Sequence, residues 1–196
     1  MRVGSAMMLT WLASVSWPVN AWVVIVAPAS RAIYLQVGVG TANANNATVN
    51  TVSLVVPAAV VGTGVAQAMT SDSTQANSFF DGFAVCNPPA QVYVGGFYRL
   101  PAIDATTAVL QVTTPANLVS GSDNISFSQI SWTSTANGNA TADIPAGTFI
   151  SGGTLFLRNI AANNWVENCH TFSYANTVVP ASGVFTGRAL YTLTSP

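Results

Sequence analysis

Between Ile33 and Leu193 apolar residues recur at every second position, and no segment of that span holds a helical period over three turns. A period of two marks a strand with one face toward a core and the other away from it. Ile33, Leu35, Val37 and Val39 share one parity against Tyr34, Gln36, Gly38 and Gly40. Val52, Leu54 and Val56 alternate next, and Pro57 ends that ladder because it has no amide hydrogen to donate. Further strands are expected over 91–100, at Ala108, Leu110 and Val112, at Leu155 and Leu157, over 165–174, and over 185–193. Turn-forming runs separate them: 43–46, Asn137-Gly138, 144–147 and 180–183. This predicts an all-β chain of about eight or nine short strands, a β-sandwich or barrel. Without strands alternating with helices, a parallel sheet is not expected.

The polarity of the chain comes from Thr, Ser, Asn and Gly. Only 6% of residues are charged, none is lysine, and the net charge is −1. Such a surface has no field to gather nucleic acid or an anionic membrane. The missing lysine also excludes Schiff-base chemistry, a Ser-Lys dyad and a P-loop.

Residues 1–29 differ from the rest. Arg2 is the only charge before Arg31, 6–15 is almost wholly apolar, and 22–26 is a second apolar run. Ala27-Pro28-Ala29 is a small-x-small site of the kind signal peptidase accepts. We read residues 1 to about 29 as a secretory signal, cleaved between about 29 and 32, and 30–196 as a single β-sandwich domain. An uncleaved membrane anchor is the alternative, and Pro18 with Asn20 near its middle argues against it. Export would place the protein in the periplasm, at the cell surface or outside, with no membrane contact after cleavage. In that setting Cys86 and Cys169 are most simply one disulfide.

Three places break the alternation. Ile125 and Phe127 lie on one parity while Ile130 and Trp132 lie on the other, a slip that predicts a β-bulge. Gly95-Gly96 predicts a bulge or bend within its strand. Residues 62–90, polar around Asp72 and aromatic at Phe79-Phe80, read as a long loop or a pair of weak edge strands.

Chemistry-bearing residues are sparse. His170 is the sole histidine; its neighbour Cys169 would point to the opposite face of a strand, so the two cannot pair across one pocket. A satisfied or surface-lying role is expected for His170. Asp81 and Asp123 sit at turns, where carboxylates cap backbone amides. No metal site, no cofactor and no catalytic residue is expected, so we read the chain as not an enzyme. Tyr93, Phe97 and Tyr98 could stack on sugar rings, although core packing explains them equally well.

Two segments carry a family resemblance. Ile33-Tyr-Leu-Gln-Val-Gly-Val-Gly40 follows the signal, and Pro180-Ala-Ser-Gly-Val-Phe-Thr-Gly-Arg-Ala-Leu-Tyr-Thr-Leu193 closes the chain. Together they resemble the exported subunits of archaic chaperone–usher pili and spore-coat-protein-U-like domains. The resemblance implies an antiparallel immunoglobulin-like β-sandwich that lacks one strand and takes it from a neighbour. Ile33, Leu35, Val37 and Val39 would be the donor strand. A periplasmic chaperone would pair with the C-terminal strand at Ala189, Tyr191 and Leu193. The function implied is a self-associating structural subunit of a pilus, fimbrium, fibre or surface coat, built by strand addition. The alternative is a monomeric secreted adhesin-like module that binds carbohydrate or a surface. An ordinary first strand, paired within its own chain, needs the same alternation in 33–39.

Overall fold

A computed structural model describes residues 31–40, 50–101 and 106–196. The signal-like segment 1–29 lies outside these residues. Among them, no helix is long and apolar enough to cross a membrane.

The strands, in chain order, are β1 (Ala32–Val37), β2 (Val52–Ser53), β3 (Gln67–Ala68), β4 (Thr70–Ser71), β5 (Val92–Arg99) and β6 (Thr107–Thr114). Then come β7 (Asn117–Ser120), β8 (Asp123–Ser126), β9 (Ile130–Ser134), β10 (Gly147–Thr148), β11 (Gly153–Ala161), β12 (Trp165–Tyr174) and β13 (Leu190–Thr194). Among the described residues, helical structure is confined to two 3-10 turns, Ala58–Val60 and Phe127–Gln129. The protein is all-β and sandwich-like, and every strand pairing described is antiparallel.

The larger sheet has the order β1-β5-β12-β9-β10, with β3 added beside β12. The smaller has the order β11-β6-β13. The period-two pattern explains how they face each other. In β6, Ala108, Leu110, Val112 and Thr114 are buried while their neighbours are not. In β12 the inward set is Val166, Asn168, His170, Phe172 and Tyr174. Ile160 of β11 and Leu193 of β13 reach across to the backbone of Gly96 in β5, so the two sheets close on one apolar layer. Each fully buried Leu or Ile there contributes about 1.5–3 kcal/mol.

Two buried asparagines tie loops to this frame. The Asn168 side-chain oxygen accepts from the Ile144 amide at 2.7 Å, and its amide donates to the Thr135 carbonyl. Asn176 gathers the segment after Ala58–Val60 by donating to the Val60 carbonyl at 2.7 Å and accepting from Gly62 at 3.0 Å.

The structure corrects both bulge expectations and shows a register shift where none was read from the sequence. The parity slip over 125–132 is not a bulge inside one strand: the Phe127–Gln129 turn separates β8 from β9, so Ile125, Phe127, Ile130 and Trp132 are all buried. A register shift does occur in β11, between Phe156 and Arg158, and lets both Leu157 and Ile160 face inward. Gly95-Gly96 is neither bulge nor bend, since β5 keeps an unbroken register with β1 and with β12 through both glycines.

Candidate functional site

The register places three aromatics in a row on the outer face of the larger sheet. Tyr34 of β1 lies opposite Phe97 of β5, and Phe97 lies opposite Trp165 of β12. Their ring centroids are 5.9 and 5.7 Å apart, and all three are half-buried. The Arg99 guanidinium lies 5.8 Å from the Tyr34 ring centroid, a cation–π contact at the end of the row.

The loop 78–83 extends this row. Phe79 and Phe80 stack on Trp165 with centroids at 6.0 and 5.4 Å. Both are more than half exposed, and Phe83 is 71% exposed. Three outward phenylalanines on one tight turn form an apolar patch of a kind that monomeric surfaces seldom carry without use. The loop closes on itself through Ser78 N–H to the Phe83 carbonyl at 2.7 Å and Gly82 N–H to the Ser78 carbonyl at 3.1 Å. Gly82 sits at φ +80°, a left-handed conformation that favours glycine. Asp81 caps the turn by accepting from the Phe83 amide at 3.0 Å, the role expected of it.

Beneath the loop lies a polar latch. One carboxylate oxygen of Glu167, Oε2, accepts from Tyr93 Oη at 2.6 Å, Ser78 Oγ at 2.8 Å and Trp165 Nε1 at 2.9 Å. Ser78 Oγ also accepts from the amides of Phe80 and Asp81 at 3.0 and 3.3 Å. Burial, with Glu167 beside it, pushes the Tyr93 phenol far above its ordinary range, so it stays a donor. An oxygen already taking three donors suits an anchor rather than a general base. A second tie follows at once: Cys86 and Cys169 are disulfide-bonded, with Cα atoms 5.5 Å apart. They pack with Tyr93 in a small cluster on this outer face. The aromatic turn is therefore pinned to β12 on both sides, at Glu167 and at Cys169.

Tyr93 fits only because residue 95 is glycine. A Cβ there would lie 2.3 Å from Tyr93 Oη and 2.7 Å from its ring. Gly95→Ala is therefore expected to displace a ring held by Glu167 and to cost about 1–3 kcal/mol, as overpacking does. Urea unfolding of the variant checks this, and an unchanged midpoint would contradict it.

The other sequence candidates are distributed as follows. Ile33, Leu35 and Val37 lie in β1, which pairs with β5 of the same chain from Ala32↔Arg99 to Val37↔Val94. Val39 lies just past the strand, and its amide donates to the Asn50 side chain at 2.9 Å. Tyr191 and Leu193 lie in β13, paired with β6, while Ala189 immediately precedes it. Of the aromatics read as possible sugar platforms, only Phe97 is on the surface. Tyr93 and Tyr98 are fully buried, on opposite faces of β5, because alternation sends successive side chains to opposite sides.

His170 is neither satisfied nor at the surface. It is fully buried on the inner face, stacked on Trp132 with centroids 5.7 Å apart, and neither ring nitrogen has a hydrogen-bond partner. An open cleft of about 330 Å³ is lined by Ser71, Asp72, Ser73, Thr74, Pro88 and Pro89. Its one carboxylate, Asp72, is occupied by the Asn50 side chain and the Thr51 amide, which hold its pKa below the ordinary 3.8. Among the described residues no three His, Cys, Asp or Glu side chains gather to hold a metal ion.

Family models, curated proteins and solved structures were compared with this chain, and none of them matches it.

Sequence reasoning missed Ser78, Glu167, Trp165 and the Phe79–Phe83 turn as a unit. The available signal was three phenylalanines flanking Asp81-Gly82 inside an otherwise polar stretch.

Proposed function

We propose that this protein is a non-enzymatic, exported, adhesin-like module that engages its target through the aromatic turn 78–83 and the row behind it. One observation carries the reading. Phe79, Phe80 and Phe83 are 54%, 52% and 71% exposed, yet the turn bearing them is fixed by a hydrogen-bonded carboxylate and a disulfide. A loop that only covered the sheet would turn its phenylalanines inward, because leaving them in water forfeits about 1.5–3 kcal/mol each. A rigid mount also lowers the ordering cost of binding.

The test is adsorption of the signal-cleaved protein to an apolar polymer and to polysaccharide-coated surfaces. Phe80→Ser/Phe83→Ser is expected to lose adsorption about tenfold or more, as removal of anchor aromatics does. Val184→Ser, which removes another apolar side chain that is 80% exposed, is expected to leave it unchanged. Equal loss in both variants, or in neither, overturns the assignment.

A second reading, the subunit assembled by strand addition, is favoured by the position of β1. Among the described residues it is an edge strand, paired only with β5, and its Leu35 and Val37 are only half-buried against the core. Such a strand can be exchanged with a neighbour in the same register. Light scattering on the eluting protein separates the readings. Ladders abolished by deleting residues 30–46 indicate exchange; a stable monomer that unfolds on that deletion excludes it.

A further inference from the structure

We infer that the aromatic patch takes an uncharged polysaccharide, with successive sugar rings stacked along the row from Tyr34 to the 78–83 turn. This rests on the binding-module reading and names its ligand. The row runs across the strands: Tyr34, Phe97 and Trp165 occupy facing positions on three adjacent strands, and Phe79 and Phe80 continue it from Trp165. Two strand spacings are about 10 Å, so the row suits an extended chain of rings rather than a single small molecule. Every apolar side chain in it is aromatic. Flat rings presented at neighbouring positions match the C–H faces of pyranoses, whereas an acyl chain has no need of them.

Charge narrows the class. The acidic and basic side chains of the patch are Asp81 on the turn, Glu167 beneath it and Arg99 at the far end. The guanidinium of Arg99 is already drawn to the Tyr34 ring. A uronate or sulfated chain would meet the carboxylate of Asp81 beside the most exposed rings, with no lysine anywhere to offset it. A lipid surface is disfavoured by the same residue. Asp81 lies between Phe80 and Phe83, so burying the tip in hydrocarbon would drag a carboxylate in with it. A second copy of this chain is a poor occupant, since a stable dimer buries about 800 Å² on each side, more than one short turn and a row of three half-buried rings present. The polar rim that a glycan needs is present in Asn77 and Asp81, both exposed.

The experiment is titration of the signal-cleaved protein with cellohexaose, chitohexaose and alginate fragments, followed by tryptophan fluorescence. Phosphatidylcholine vesicles and polystyrene beads are run in parallel. Trp165 and Trp132 are the tryptophans of the described residues, and only Trp165 touches the patch, so Trp165→Phe serves to assign the signal. The expected result is saturable binding of a neutral oligosaccharide, weakened about tenfold or more by Phe83→Ser, whose side chain is too exposed to jeopardise folding. Alginate should bind at least about tenfold more weakly. If the protein adheres to vesicles or beads through Phe80 and Phe83 but takes no glycan, the ligand class is wrong and the binding module stands. Preference for alginate also overturns the ligand class. If Phe83→Ser changes adhesion to nothing tested, both readings fall.

Discussion

Replacing Cys86 and Cys169 together by alanine is expected to lower the unfolding free energy by about 4 kcal/mol. The bridge spans a sequence separation of 83 residues. In the chain-entropy picture, a cross-link over such a loop restricts the unfolded ensemble by roughly 4–5 kcal/mol. A domain of this size has about 5–15 kcal/mol in all, so the loss moves it close to unfolding. A local consequence should accompany the global one. Cys169 sits on the outer face of β12 two residues from Glu167, and Cys86 ends the limb that carries the aromatic turn. Without the bridge, 78–83 is held by the hydrogen bonds of Ser78 and of the turn, by the Phe79 amide donating to Tyr93 Oη at 3.4 Å, and by the ring contacts of Phe79 and Phe80 with Trp165. Limited proteolysis at neutral pH should then cut near Phe79, Phe80 and Phe83 well below the unfolding midpoint. Urea unfolding of oxidised, reduced and alanine-substituted protein measures the first effect. A difference under about 1 kcal/mol would contradict the assigned role.

The second large effect is acid destabilisation through His170. Burial alone pulls its pKa from the ordinary 6.5 to about 3, with no carboxylate facing it to offset the penalty. The groups packed against it are Trp132, Phe172 and Tyr191, and burial holds the Tyr191 phenol above its own ordinary range, so it stays neutral. The direction follows from proton counting. Above pH 6.5 neither folded nor unfolded chain protonates this ring, so stability is flat. Between 6.5 and about 3 the unfolded chain takes up a proton that the folded chain refuses. Stability therefore falls as pH falls, by about 1.4 kcal/mol per unit. At pH 4.5 the loss is about 3 kcal/mol. Asp72, whose pKa is lowered, acts in a separate window below its ordinary 3.8. His170→Leu should abolish the slope between pH 6 and 4. It should also leave stability at pH 7 equal or higher, because two unpartnered ring nitrogens are exchanged for apolar surface. Persistence of the slope in that variant would assign it to other groups.

What could be read from the sequence was whatever depends on spacing along the chain. Alternation located β1, β5, β6, β12 and β13, and the two cysteines could pair only with each other. Facing directions were legible too: Cys169 and His170 do lie on opposite faces. Features that depend on distant partners were not legible. The parity slip at 125–132 was visible, but a bulge and a 3-10 turn cost a sequence pattern the same single shift. Gly95 looked like a local kink, whereas it is small because Tyr93 lies over it toward Glu167, 74 residues beyond Tyr93. Glu167 alternated unremarkably on a strand, and Ser78 stood in a polar run. Only folding brings them within 2.8 Å, and with them the phenylalanines onto Trp165.

The most direct test of the central claim combines a melting curve with an adhesion assay on one variant, Phe79→Ser/Phe80→Ser/Phe83→Ser. If the turn is a contact surface mounted on a finished fold, the variant keeps its melting temperature within a few degrees and loses adhesion. If those rings instead hold the sheet together, the melting temperature falls steeply. Either that fall or unchanged adhesion in a folded variant would contradict the claim.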